Sequence, residues 1–358
     1  MRRAVFLLCV AATAAAAWEA ATRVPTGVFL APDAGAPWAT LAAGTRLELD
    51  EVLDGGWARL DAGYVRTASL RALDAGEAPA PQPAFVWGSA KSDAGVTVRA
   101  RPAEDAAVTG LEPEGRTLAF LERPPRPGWL ERPAGGFVAA AEVVLHRQVS
   151  TLRGEPAPTL PLAFVFRATT RSLPDGGAEP VAKFARFPLV ALDGGSVEID
   201  GGTLPRRDVR IVAARPAPPE LDGGAWIDVD LTEQTLVAWD GARPVFATLV
   251  SAGTGAPQRT TPTGVFRVWL KARHERMHGD DYFVEEVPFI QYFRRGAAIH
   301  GVTWHDRFGQ RMSHGCVNLS LADAAWLFDW SPPPMPAGWH DVYVERRPGT
   351  PTLLVRIE

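Results

Sequence analysis

The sequence predicts a mainly β protein in which three small barrel modules precede a larger, mostly β domain with one or two helices. Three observations lead there. The 358 residues include 34 Gly and 32 Pro, many in short turn-forming clusters that separate brief apolar runs. Apolar and polar residues alternate in stretches such as TRLELDEVL and GVTVRARP, the period of half-buried strands. A similar ending also recurs three times before the C-terminal part: GWARLDAGYVRTASL, GWLERPAGGFVAAAEV and GSVEIDGGTLPRRDV.

The first element is the opening MRRAVFLLCVAATAAAAWEA. Arg2 and Arg3 precede an apolar run over residues 4–17 that is short for a bilayer span, and Ala15-Ala16-Ala17 offers a small-residue cleavage site. Residues 1–20 therefore read as an export signal, and Cys9 within them leaves the fold reasoning. The remaining residues, about 340, are enough for two or more domains. A net charge of −4 is too slight to argue for nucleic acid or a membrane surface. No later window is long and apolar enough to span a membrane.

The three modules follow at residues 24–74, 84–146 and 150–214. Trp57 and Leu70, like Ser196 and Val209, lie 13 positions apart, and Trp129 and Val143 lie 14 apart. A proline opens each unit 22 to 27 residues before its recurring ending: Pro32, Pro102 and Pro174. Units of this size suit a small barrel closed on its own core. AGEAPAPQPA, residues 75–84, and ARPAPPELDGG, residues 214–224, read as linkers. Charged residues in the modules are expected on solvated strand faces.

From Ala225 the runs lengthen. AWIDVDLTEQTLVAWDGARPVFATLVSAG reads as two or three antiparallel strands joined by tight turns such as Asp240-Gly241. TTPTGVFRVWLKAR gives a turn and a strand, and GAAIHG a short apolar strand reaching His300. A 12-residue loop over residues 301–312 leads to SHGCVN. SLADAAWLFDW then reads as a helix with Ser320 as N-cap and Asp323 three residues later. DVYVERR and PTLLVRIE close the chain as strands.

Six of the seven histidines fall between His274 and His340, and so does Cys316, the one cysteine outside the leader. A lone thiol in an exported chain needs a reason. His274 and His278 lack the Glu of an H-E-x-x-H pattern, and His314-Gly-Cys316 lacks a zinc-knuckle gap. His300, His305 and His314 could still supply three nitrogens to a catalytic zinc. The competing chemistry is nucleophilic: an imidazole takes the thiol proton and sustains the attacking sulfur. His300 and Cys316 could be set side by side by the fold, and the amides of Gly315 and Cys316 could form an oxyanion hole. The residues alone leave both readings open.

IHGVTWHDRFGQRMSHGCVN resembles the signature of YkuD-type L,D-transpeptidases: a His-Gly pair, a variable loop, then Ser/Thr-His-Gly-Cys-x-Asn. WIDVDLTEQTLVAWDGARPVFATLVSAGTG with TTPTGVF is similar to that family's opening strands and its Thr-Pro-Thr-Gly turn. The resemblance covers about residues 226–330 and the closing strands, and implies a β-sandwich catalytic domain at 225–358. The recurring units resemble bacterial SH3-like modules through Gly-Trp, Gly-Tyr/Phe-Val and a final aliphatic residue. The third departs, with Ser196 for the tryptophan and Thr203 for the aromatic, so a spacer role suits it equally.

The resemblance implies that Cys316 is the nucleophile, His300 its base and the Gly301 carbonyl the group that orients the imidazole. It implies that His314 is a supporting strut, that Ser313 and Asn318 pin the turn, and that the Gly315 and Cys316 amides face the oxyanion. Trp304 falls at the cleft mouth, Tyr282 in a lid over the donor, and Arg311 where it could meet a substrate carboxylate. Neither metal nor cofactor is implied. The implied reaction is acyl transfer on peptidoglycan tetrapeptide stems through a thioester, with D-alanine released and a 3-3 cross-link formed. Water or a protein lysine as acceptor would make the enzyme a carboxypeptidase or a lipoprotein-anchoring enzyme. Stem peptides are then donor and acceptor, with glycan or wall docking by the modules. The expected location is the periplasm or cell wall, with no nucleic-acid partner and no stable membrane span once the signal is removed.

Overall fold

The computed structural model describes residues 18–73, 83–123, 125–146, 150–221 and 224–358. The expected leader up to residue 17, with Cys9, and most of the first linker lie outside them. The expected leader ends at residue 20, yet Trp18–Thr22 is a β-strand. The chain divides into two compact units, residues 1–81 and 82–358. Among the described residues no helix is long and apolar enough to cross a membrane.

The first unit is built from short strands: Trp18–Thr22 lies between Arg46–Leu49 and Leu70–Ala72, and Trp57–Leu60 between Glu51–Leu53 and Gly63–Arg66. Its last part shows why the sequence ending recurs. Trp57–Leu60 and Gly63–Arg66 form a hairpin, a 3-10 turn follows at Thr67–Ser69, and a short strand closes the unit. The second copy repeats this with Trp129–Glu131, Phe137–Ala139, Ala140–Glu142 and Val143–Leu145. The third uses Ser196–Ile199, Gly202–Pro205, Arg206–Asp208 and Val209–Val212. The shared glycine is required by geometry. Gly63 and Gly202 have φ of 139° and 155°, and an added Cβ would sit 2.2 and 2.3 Å from the carbonyl oxygens of Phe29 and Ser172.

The expected barrels do not close: among the described residues no sheet returns on itself. In the second repeat one strand is drawn away from the repeat's own sheet. Arg116–Leu121 pairs antiparallel with Phe85–Ala90, and its Arg116 and Thr117 pair parallel with a strand of the C-terminal domain. It does not join the repeat's own four-stranded sheet of Val108–Glu112, Val96–Arg99, Phe137–Ala139 and Trp129–Glu131. The third repeat is an open seven-stranded sheet.

The C-terminal domain comprises β1 (Ala225–Asp230), β2 (Thr235–Asp240), β3 (Arg243–Leu249), β4 (Gly264–Arg267), β5 (Leu270–His278), β6 (Phe283–Arg294), β7 (Ala297–Val302), β8 (Val317–Ser320), α1 (Leu321–Trp330), β9 (Trp339–Tyr343) and β10 (Leu354–Ile357). One sheet runs β3-β2-β1-β10-β4, extended beyond β3 by Glu155–Pro156. In the other, β6 pairs with β5 on one edge and with β7 and Arg116–Leu121 on the other, while β8 lies parallel to β7 and β9 beside β5. The sheets meet on Ile227, Val229, Leu236 and Ala238 from one side and Phe293, Ile299, Val317 and Leu319 from the other. Alternate residues of β1 and β2 point the opposite way, where Trp226, Val237 and Trp239 pack on Leu162, Phe164 and Phe166 of the third repeat. Burial on both faces explains why these strands read as nearly continuous apolar runs.

α1 is the only α-helix among the described residues. Its N-cap Ser320 accepts from the Asp323 amide at 3.2 Å. The Asp323 carboxylate in turn accepts from the Gly154 amide (2.8 Å) and the Thr248 hydroxyl (2.6 Å), fastening the helix start to the chain entering from the second repeat. At the other end the fully buried Lys271 ammonium donates to the carbonyls of Phe328, Ser331 and Pro333 at 2.7 to 2.9 Å. It satisfies carbonyls that a helix C-terminus leaves open.

Candidate active site

β7 and β8 create the site. Their parallel register sets His300 opposite Asn318 and Ile299 opposite Val317, so Cys316 stands immediately before β8, alongside the middle of β7. A parallel pair needs a crossover, and residues 303–316 supply it. His300 and Cys316 line one cavity of about 550 Å³, whose walls also include Tyr282, Val284, Val287, Trp304 and His314.

The His300 Nδ1 is 3.0 Å from the Gly301 carbonyl oxygen. An imidazole that donates there keeps Nε2 bare when neutral. Burial holds His300 down at about 4, although the Gly301 carbonyl opposes that shift. Burial also pushes the Cys316 thiol above its ordinary value, against the Ala298 main chain, which lowers it. Burial thus acts on both groups toward the neutral form, away from the ion pair that a Cys/His motif suggests. Gly301 is sterically confined, since a Cβ would lie 3.2 Å from both Ala324 and Pro288.

The turn before the thiol is closed by Ser313. Its hydroxyl donates to the Cys316 carbonyl and accepts from the Gly315 amide at 3.1 Å. Gly315 has φ of 132°, a backbone state that other residues avoid. The Gly315 amide, expected to face an oxyanion, is committed to Ser313. Asn318 fastens the loop more than the turn: its side-chain amide lies 3.2 Å from His305 Nε2, and its main chain exchanges two hydrogen bonds with Ser251. His314 projects toward the lid, with Nε2 3.0 Å from the Asp281 carboxylate and its ring 4.6 Å from that of Tyr282.

Trp304 and Tyr282 both line the cavity. Trp304 lies 6.2 Å from the His300 ring, and burial raises the Tyr282 phenol, with Cys316 and Asp281 adding to the shift. Arg311 does not line it. Its guanidinium donates to the carbonyls of Gly253 (3.2 Å) and Leu231 (2.9 Å), which braces the loop. His300, His305 and His314 have separate partners, and among the described residues no group of three or more His, Cys, Asp or Glu could hold a metal ion.

Residues that the motif did not mark complete the site. Met277, Val284, Val287, Arg307 and Met312 line the cavity, and so does Asp306, whose carboxylate and carbonyl accept from Lys183 of the third repeat at 2.7 and 2.8 Å. Gly309 in the same loop has φ of 86° and lies so close to Phe166 that a Cβ would meet it at 2.5 Å. The third repeat therefore braces the loop between His300 and Cys316.

Residues 224–353 match the family model of the L,D-transpeptidase catalytic domain, YkuD. This segment is a YkuD catalytic domain. Putative L,D-transpeptidase YciB of Bacillus subtilis is 26% identical over 116 residues, 29% of this chain and 59% of that protein. L,D-transpeptidase 1 of Mycobacterium tuberculosis is 31% identical over 90 residues, 22% of this chain and 36% of that protein. The crystal structure of the L,D-transpeptidase (residues 123–326) from Xylanimonas cellulosilytica is 28% identical. It covers 40% of this chain and 64% of that one, with a TM-score of 0.27. The chain spans less than two thirds of each of these relatives. In the YkuD segment the first strand β1, the turn at Thr261-Pro-Thr-Gly264 and the His300-to-Cys316 crossover all fall inside the matched residues.

Proposed function

We propose that the chain is an exported cysteine L,D-transpeptidase acting on peptidoglycan tetrapeptide stems. The observation that carries this is the β7–β8 pairing, which puts His300 and Cys316 in one cavity while Gly301 holds the far nitrogen of the imidazole. In this reading Cys316 Sγ attacks the carbonyl of the third stem residue, a diamino acid, as His300 Nε2 takes the thiol proton. The proton then passes to the departing amine, terminal D-alanine leaves, and a thioester remains. An amine from a neighbouring stem attacks that thioester, regenerates the thiol and leaves a 3-3 cross-link. With the Gly315 amide bound to Ser313, the oxyanion falls to the Cys316 amide. Tyr282 and Trp304 flank the donor, and His314, Ser313 and Asn318 hold the walls and the turn. Arg2, Arg3 and the apolar run after them support export to the periplasm or wall, where an acyl-enzyme conserves the energy of the old peptide bond. The N-terminal units, read as SH3-like modules, would dock glycan or wall polymer.

Exposure to a carbapenem is expected to add one covalent mass to the full chain and none to Cys316→Ala; an adduct surviving at another residue overturns the assignment. Mass spectrometry of a disaccharide-tetrapeptide, with and without an amine acceptor, separates dimers from simple D-alanine loss. Neither product from the intact protein would sink the reading. Loss of D-alanine without dimers assigns the acceptor to water.

A further inference from the structure

We infer that the second repeat is a structural half of the catalytic cavity, and that Arg132 and Glu285 are positioning residues for the lid hairpin β5–β6. The inference rests on the transpeptidase reading for its catalytic meaning, and on the following geometry for the rest. Between the pairs Met277↔Val284 and Glu275↔Val287, β6 places two residues, Glu285 and Glu286, against the single Arg276 of β5. This is a β-bulge, and Glu286 takes a left-handed φ of 49° within it. The extra residue has a visible consequence. Three positions apart on a regular strand, Val284 and Val287 would face opposite sides, yet both line the cavity. Glu285 is 5% exposed.

The Glu285 carboxylate and its main-chain carbonyl are both met by the second repeat. Its carboxylate accepts from Arg132 at 2.6 Å and from the Ala119 amide at 3.1 Å. Its main-chain carbonyl accepts from the Trp87 indole at 3.0 Å. Arg132 is equally buried and is held from behind by Glu112 at 2.8 Å. Beside this cluster, Arg116 and Thr117 pair in parallel with Phe283 and Val284, and the Arg116 guanidinium lies 4.4 Å from the Phe283 ring centre. A buried carboxylate deprived of Arg132 loses its paired charge and would have to move, which alters the bulge that aims Val284 and Val287. The lid that forms one wall of the cavity is therefore shaped from outside the catalytic domain.

The test uses the full chain with Arg132→Ala, Arg132→Lys and Trp87→Phe, the last removing the indole N–H bond together with part of a buried ring. Hydrogen exchange over residues 277–287 is expected to rise about tenfold in Arg132→Ala while residues 297–302 stay protected. Turnover of the tetrapeptide is expected to lose about tenfold in kcat/KM, chiefly through KM, because the wall contacts donor in the ground state as well as the transition state. Arg132→Lys should recover part of both, and Trp87→Phe should show a smaller effect of the same kind. Alkylation of Cys316 by iodoacetamide should stay within about twofold, separating wall position from thiol chemistry. Unchanged exchange over 277–287 overturns the inference, and so does raised exchange with unchanged turnover. If Arg132→Ala does not fold, Trp87→Phe decides by the same two readouts. If the unaltered protein does not turn over tetrapeptide, the functional reading fails, and lid exchange still decides whether the repeat holds the hairpin.

Discussion

The sulfur of Cys316 and the imidazole of His300 are both removed from water, and burial acts on each in the direction that favours its neutral form. On the proposed reading, attack requires the thiol proton to move as the substrate arrives, which is general-base catalysis rather than storage of a thiolate. The consequence is a pH dependence of definite sign. Below the thiol's titration only the thiolate reacts, so alkylation of Cys316 in the free protein should accelerate about tenfold per pH unit from 6 to 8, without a plateau. Iodoacetamide rates across that range check it. A plateau with an apparent pKa at or below about 7 would mean that His300⁺ sustains the thiolate, contrary to what its burial dictates. At this scale the motif residues were legible because their types and spacing are local. Partners set by tertiary neighbours were not. Nothing in the spacing says that the Gly315 amide meets Ser313, that the Arg311 guanidinium meets two carbonyls, or that Arg132 meets Glu285, 153 positions away.

Among the elements, α1 depends on a buried cation. Among the described residues Lys271 has no carboxylate in contact; its ammonium is satisfied by helix-end carbonyls and lies 4.5 Å from the Phe328 ring centre. Burial lowers it to about 7, with Asp329 opposing the shift and Arg273 adding to it. The unfolded chain, with its lysine near 10.5, binds more protons between pH 7 and 10.5, so this group makes folding more favourable as pH rises through that window. Lys271→Met should lower stability by about 2 kcal/mol, since it leaves buried carbonyls without donors. It should also remove the alkaline gain, so the difference between the two proteins widens from pH 7 to 9 in urea unfolding. A constant difference would mean that Lys271 titrates normally. The strands and this helix were readable from period and capping residues, as Ser320 and Asp323 illustrate. Barrel closure was not, because alternation specifies which face of Arg116–Leu121 is buried and is silent on which strand will take its free edge.

At the level of the whole molecule, the YkuD domain is not self-sufficient in its outer surface. The face of β1, β2 and β10 that bears Trp226, Val237, Trp239 and Leu354 is covered by Leu162, Phe164 and Phe166 of the third repeat. The start of β6, at Phe283 and Val284, is paired with Arg116 and Thr117 of the second. Lys183 and Phe166 brace the loop between His300 and Cys316, and Arg132 braces the lid opposite it, so both walls of the cavity lean on segments outside residues 224–353. Uncovering four large apolar side chains at about 1.5–3 kcal/mol each forfeits roughly 6–12 kcal/mol. That is comparable to the whole stability of an ordinary domain, about 5–15 kcal/mol. Residues 225–358 expressed alone should therefore aggregate or unfold, exposing an apolar face and an unpaired strand edge together. Residues 82–358, which form one compact unit, should run as a single species and still acylate at Cys316. Size-exclusion chromatography and thermal unfolding of the two fragments, with a carbapenem as acylation probe, decide the matter. A monodisperse, cooperatively melting 225–358 fragment acylated at the full-length rate would show that the repeats are tethers; an aggregated one beside an active 82–358 would make them walls of the enzyme.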